Sequence, residues 1–241
     1  MMTRTLPEEV KKSLHTDTLI KILEQNKETL AKAGWIITDP YSPEWWDGIK
    51  SVDYLVISSI LVQMTKWETV KKVLEKLREV GITKVTDLGK VSEKELEELI
   101  KPVNFYKTKA KRLRKIAETT EKIGGIEKLV RDEKLLKQVE GIGEETAEAL
   151  LLFAGNIPVF PRSNYSRKVL GSILNFNLTK EDAKKLIEEK VGKDLYKLKI
   201  IHAGLVTVGK LFCTNNPKCK SCLFKDICKY YQVKKHEIVR V

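Results

Sequence analysis

Apolar positions recur with a helical period along most of this chain, and a strand-like alternation of useful length occurs nowhere. Residues 1–34 are polar and helical in pattern, with one apolar stripe at Leu19, Ile20, Leu23 and Leu30 that Gly34 stops. A turn-rich connector follows at Asp39-Pro40-Tyr41-Ser42-Pro43, and Trp45 and Trp46 are expected as core anchors or as packing between two lobes, ahead of a stacking role against DNA bases. Residues 51–65, SVDYLVISSILVQMT, are the most apolar run and predict a buried helix through Val52, Leu55, Val56, Ser59 and Ile60. The run ends in Gln63-Met64-Thr65, where such a helix emerges, so Gln63 is expected at a mouth. Residues 66–80 place Val70, Val73, Leu74 and Leu77 inward and end at Gly81. Ser92 and Glu95 form a capping box. Further helices are predicted at Tyr165–Leu174, Lys180–Val191 and Leu195–Leu211. The last holds His202 among Ile200, Ile201, Leu205 and Val208, as a packing histidine. The class is all-α.

The stretch from Leu135 to Leu170 carries the first chemical signal. Leu135, Leu136 and Val139 share one face of a short helix, and a second helix from Glu144 carries Ala147, Leu150, Leu151 and Ala154. Between them lies Gly141-Ile142-Gly143, a hairpin with almost no side-chain bulk. Backbone N–H groups and a helix N-terminus can approach an anion closely there; the alternative is an ordinary tight turn.

Composition sharpens the choice. A net charge of +12 over 241 residues favours a polyanionic partner, of which nucleic acid is the commonest. Phe105 and Tyr106 lead into Lys107, Lys109, Lys111, Arg112 and Arg114, a cluster that either tracks phosphates or is the solvated face of a helix. Abundant Lys and Glu with few Gln and Met lean towards a thermophilic source. The sequence offers neither a membrane-length apolar run nor a signal-peptide core, so a cytoplasmic protein is expected.

All four cysteines, Cys213, Cys219, Cys222 and Cys228, fall in one C-x5-C-x2-C-x5-C stretch. In a cytoplasmic chain this spacing means a metal centre rather than disulfides. Zinc usually shows two C-x2-C pairs around a longer loop, whereas one central pair with flanking gaps suits a cubane iron–sulfur cluster better. Lys218 and Lys220 lie in the same loop, which such a cluster can hold against a phosphate backbone.

Together, VEGIGEETAEAL, a proline-containing connector, YSRKVL, HAGLVTVGKLFC and the four-cysteine loop resemble the endonuclease III family, the helix–hairpin–helix superfamily of base-excision DNA glycosylases. ILVQMTKW and NFYKTKAKRL resemble its branch acting on alkylated purines. The resemblance runs from about Trp46 onward. It implies two all-α lobes: an iron–sulfur lobe from 1–48 with 162–241, and a six-helix lobe from 49–161 whose helix–hairpin–helix spans 135–154. It further implies a monomer without a membrane, nucleoid-associated in a prokaryote, acting on duplex DNA with a damaged or modified base flipped out between the lobes. Carried over by position, Gly141, Ile142, Gly143 and Thr146 grip phosphates, with Lys218 and Lys220 adding contacts. Gln63 fills the gap left by the flipped nucleotide, and the four cysteines hold a 4Fe–4S cluster.

Two positions depart from the family pattern. Glu145 stands where bifunctional members carry the lysine that forms a Schiff base, so a monofunctional enzyme is expected. Ser163 stands where the family carries an aspartate that stabilises positive charge on the sugar, so this form is expected to be slow or inactive. Lys210 is a further basic candidate near the chemistry. Two rival classes remain: a non-catalytic protein that binds DNA lesions or structures, and a zinc-bound nucleic-acid adaptor.

Overall fold

The computed structural model describes residues 6–239, and among them the architecture is all-helical. The chain forms two compact units. One comprises the described residues up to Pro40 together with those from Pro158 onward; the other is the continuous segment Tyr41–Ile157. These boundaries lie N-terminal of the 48/49 and 161/162 divisions expected from the sequence. At the first boundary Trp45 and Trp46 pack on Phe153, with ring centroids 6.4 Å and 6.3 Å away, and at the second Phe160 packs on His202 at 5.8 Å.

The first unit begins with α1 (Glu8–Lys12), α2 (Thr16–Gln25) and α3 (Lys27–Lys32). The apolar stripe at Leu19, Ile20, Leu23 and Leu30 is buried as expected, yet it belongs to two helices. Asn26 breaks it, because its side-chain amide donates to Ile22 O and draws the chain out of helical register. Residues 1–5 of the expected N-terminal helix lie outside the described residues.

The middle unit holds α4 (Val52–Leu61), α5 (Trp67–Glu79), α6 (Glu93–Ile100), α7 (Tyr106–Ile123), α8 (Ile126–Leu129), α9 (Glu133–Gln138) and α10 (Glu144–Phe153). The single turn α8 makes these seven rather than six. Helix α4 is buried on every side from Tyr54 to Leu61, as an apolar run without a polar stripe requires. Around it, α5 turns Val70, Val73, Leu74 and Leu77 inward, the four positions its periodicity predicts. The Ser92 box forms: Ser92 Oγ accepts from the Glu95 N–H at 3.2 Å, and Glu95 Oε2 accepts from the Ser92 N–H at 2.9 Å. Gly155 closes α10 where only glycine fits, since a Cβ there would lie 2.1 Å from Val130 O.

The chain then completes the first unit with α11 (Asn164–Leu174), α12 (Lys180–Val191), α13 (Leu195–Leu211) and α14 (Lys229–Val239). Helix α13 is its core, buried continuously from Leu198 to Gly209. His202 packs edge-on between Trp35 and Phe160 at 5.9 Å and 5.8 Å, and burial lowers its pKa to about 3. It is a neutral packing histidine. No helix among the described residues is long and apolar enough to cross a membrane.

Candidate nucleic-acid interface and cysteine site

The hairpin is assembled from both flanks. Asp132 caps α9 by accepting from the N–H groups of Lys134 and Leu135 at 2.8 Å and 3.1 Å. After α9 the Ile142 N–H donates to Val139 O at 3.0 Å, which folds the turn. Gly141 has a φ of +90°, and a Cβ there would lie 2.5 Å from the Arg112 side chain. The positive φ therefore favours glycine at 141, and an added Cβ would also displace the Arg112 side chain. Gly143 differs: its φ is −82°, it begins α10, no side chain caps the helix at it, and a Cβ there would meet nothing within 4 Å. Thr146 is half-buried and Glu145 exposed in the first turn of α10. The Ile142 side chain is 4% exposed, in the core, and its N–H is engaged within the turn.

Gln63 braces this hairpin. Its Nε2 donates to Gly141 O at 2.8 Å, and its Oε1 lies 3.5 Å from an Arg112 amine. The loop that carries Gln63 is held by Lys109, whose ammonium donates to Leu61 O at 2.7 Å, Gln63 O at 2.6 Å and Thr65 Oγ1 at 2.9 Å. Lys109 is 1% exposed, and burial, with Arg112 nearby, lowers its pKa to about 8. Asn104 adds a second clamp, donating from its backbone to Thr65 Oγ1 and from its side chain to Met64 O.

The basic cluster after Phe105 is thereby corrected. Lys109 faces inward, Arg112 lies against the hairpin with its Nε 3.6 Å from Glu140, and Arg114 donates to Val91 O. Lys107 and Lys111 are the exposed members. Two other features of this surface are barely legible from the residues alone. Met64 and Phe105 are 78% and 67% exposed, and both take left-handed backbone, with φ of 55° and 58°. Such angles are costly for bulky residues and persist only where their surroundings impose them. Here Asn104 links the two loops. No Gly or Asn stands at either position to betray the turn; only large apolar residues in polar surroundings hinted at it.

In the other unit, the connector before α11 is pinned by α12: the Phe160 N–H donates to Glu188 at 2.8 Å and Lys184 donates to Phe160 O at 3.1 Å. Ser163 caps α11 by accepting from the Tyr165 N–H at 3.1 Å, and it is 1% exposed. Lys210 sits with its Nζ 5.9 Å from the centre of the Tyr165 ring. Gly209 permits this, because a Cβ there would lie 2.5 Å from that ring.

The four cysteines, none in a disulfide, line one apolar cavity of about 30 Å³ with Val169, Ile173, Val208, Phe212 and Phe224. The Cys213 N–H donates to Val208 O at the end of α13, a 3-10 turn at Cys219–Ser221 sets the central pair, and Cys228 leads into α14. Cys228 Sγ lies 3.4 Å from Ser172 O and Cys213 Sγ 3.6 Å from Ser172 Oγ. Burial pushes the Cys222 thiol up to about 11 and raises that of Cys228. Among the described residues no three His, Cys, Asp or Glu side chains are grouped as a single metal ion requires. Four sulfurs around an otherwise apolar cavity do match the donor set of an iron–sulfur group. Lys218 and Lys220 are exposed in this loop.

Residues 57–202 match the family model described as HhH-GPD superfamily base excision DNA repair protein. A protein of Methanocaldococcus jannaschii that bears the name DNA repair glycosylase is 29% identical over 86% of this chain and 99% of its own. Endonuclease III of Thermotoga maritima is 30% identical over 74% of this chain and 83% of its own. Among solved structures, an endonuclease III–DNA complex superposes with a TM-score of 0.67 at 20% identity, over 92% of this chain and 99% of that one, which establishes the shared fold. The chain belongs to the HhH-GPD superfamily of base excision DNA repair proteins, among the endonuclease III-like DNA glycosylases.

Proposed function

We propose that this protein is a monofunctional DNA N-glycosylase that acts, as a monomer of the prokaryotic nucleoid, on duplex DNA carrying a damaged or modified base. The observation that carries this reading is the braced hairpin. The N-terminus of α10 begins at a glycine with open space over it, and the loop of Gln63 is fastened directly to Gly141. A phosphate can approach Gly143 and the first turn around Thr146 without meeting side-chain bulk. The exposed Met64 and Phe105 supply apolar surface that can enter a base step and unstack it, with Gln63 beside them to fill the space of an extruded nucleotide.

Hydrolysis adds a water hydroxyl to the sugar carbon and returns a proton to the departing base. Positive charge develops on the sugar meanwhile, and a fixed carboxylate stabilises it. Ser163 contributes a dipole that already accepts the Tyr165 N–H, so slow chemistry is the expectation for this chain. Glu145 cannot form a Schiff base, which excludes the lyase step at that position. Cys213, Cys219, Cys222 and Cys228 would hold a 4Fe–4S cluster that fixes the loop of Lys218 and Lys220; iron analysis should find about four irons per chain. Stoichiometric zinc would refute the cluster and favour an adaptor.

The second reading, a lesion-binding protein without chemistry, draws its support from Ser163 alone. Single-turnover excision on duplexes with alkylated purines, deaminated bases and mismatches separates the two. The glycosylase reading expects release of a base with no covalent adduct trapped by borohydride. Tight lesion binding without release on any substrate would leave the binding reading.

A further inference from the structure

Helix α11 and the loop after it enclose an open cavity of about 290 Å³, lined by Arg167, Lys168, Ser172, Asn175, Asn177 and Tyr230 among others. Among the described residues no carboxylate lines it. Arg167 and Lys168 are half-buried, yet neither side chain makes an ion pair or a hydrogen bond with another described residue. Cations close by in the same unit are treated differently. Arg162 pairs with Glu181 at 3.3 Å, Lys184 with Glu188 at 2.8 Å and Lys185 with Glu181 at 3.5 Å. Two half-buried like charges lose solvation and repel each other, and an anion between them offsets both costs.

The end of α11 supplies the rest of the wall. Asn175 takes left-handed backbone, with φ of 51°, and its N–H donates to Ser172 O at 3.3 Å. The Phe176 N–H donates to Gly171 O at 2.9 Å. This turn engages two of the carbonyls that would otherwise repel an anion at a helix C-terminus. Gly171 lets the returning loop lie close, since a Cβ there would be 2.9 Å from Phe176 O, and Leu178, 3% exposed, anchors it. The return brings Asn175 and Asn177 to the same cavity as the two cations.

We infer that this cavity is a binding site for a phosphate monoester, held by Arg167 and Lys168 with Ser172, Asn175 and Asn177 as neutral donors. A guanidinium engages phosphoryl oxygens in pairs, and an ammonium adds a point charge. Two cations match the nearly two charges of a monoester near neutrality, whereas a carboxylate or a backbone diester carries one. A free nucleotide and the terminal phosphate of an interrupted DNA strand present this same chemistry. The inference stands apart from the hairpin reading and uses none of its residues.

The test titrates the full chain by calorimetry in low salt at about pH 8, where a monoester is doubly charged. Methyl phosphate should bind at least about tenfold more tightly than dimethyl phosphate, and Arg167→Gln with Lys168→Gln should abolish that preference. Asn177→Ala, a change in an exposed loop residue, should weaken methyl phosphate about fivefold with the unfolding midpoint unchanged. Equal affinity for the two esters overturns the proposal, as does full affinity in a folded double variant. Should the double variant fail to fold, unaltered affinity in Asn177→Ala overturns it. Duplexes with one nick, carrying a 5′-phosphate or a 5′-hydroxyl there, separate the two sources. Tighter binding of the phosphorylated nick, lost in the double variant, assigns the site to a DNA end. Identical nick affinities, with methyl phosphate still bound, assign it to a free phosphorylated small molecule.

Discussion

Two helix starts answer the same physical demand in opposite ways. Helix α10 begins at Gly143 with no side chain capping it and open space where a Cβ would stand. Helix α11 begins at Ser163, whose hydroxyl folds back onto the Tyr165 N–H and is buried. The first can take its anion from outside, whereas the second is satisfied from within. On the function proposed above, binding and chemistry would be carried by different helix starts in different units. A sequence that keeps the first and alters the second can retain grip while losing rate.

The strongest way to break this contrast is to restore charge at the closed start. Ser163→Asp keeps a good N-cap, so the fold should survive. Single-turnover excision should rise about 10²–10³-fold on a base that the protein already removes, with duplex affinity little changed. An unaltered rate on such a substrate would mean that chemistry does not run through position 163.

Next in size is the support beneath the open start. Lys109→Met removes the ammonium donor from Leu61 O and Gln63 O, leaves Thr65 Oγ1 with Asn104 alone, and should cost about 3 kcal/mol in denaturant unfolding. It should also remove a pH dependence. The folded pKa, about 8, lies below the ordinary 10.5, so between those values the unfolded chain holds the proton that the folded chain has shed. Stability contributed by this group consequently rises with pH through that window. A variant with the same stability and the same alkaline profile would show that the loop is held by something else.

The two hairpin glycines then separate folding from binding. Gly141→Ala should lower stability by about 1–2 kcal/mol, because it meets both a positive φ and Arg112. Gly143→Val, at the N-cap of α10, should lower stability by about 1 kcal/mol or less and reduce duplex affinity about tenfold on every sequence, the loss of roughly one charge-assisted contact. Equal behaviour of the two variants would erase the distinction. The smallest effect is expected at Met64→Ala: about 1 kcal/mol of affinity, confined to duplexes whose bases must be unstacked. A uniform loss on undamaged duplex would assign Met64 to general contact.

Periodicity made most of the fold legible. The four inward positions of α5 and the unbroken burial of α4 follow from where apolar residues recur, and the Ser92 capping box follows from two residues three apart. The hairpin was legible because two glycines close together permit a tight turn that other residues resist. Lys109 was not, since a lysine within a basic string looks the same whether it meets water or the exposed carbonyls of a helix end far away in sequence. Ile142 could have been placed: one large apolar residue between glycines has to bury itself. The break at Asn26 turned on a single side-chain hydrogen bond, which leaves the spacing of the apolar stripe unaltered.

The discontinuity of one unit bears on how the protein is made. The hairpin unit is a single run of chain, so it can fold while the ribosome is still adding residues. The other unit draws α1–α3 from the start of the chain and its cysteines from near the end. Those first helices emerge early and must wait, with Leu19, Leu23 and Leu30 uncovered, until α13 arrives. During synthesis the interval between them is the period of greatest exposure to misassociation, and insertion of any cluster necessarily follows it.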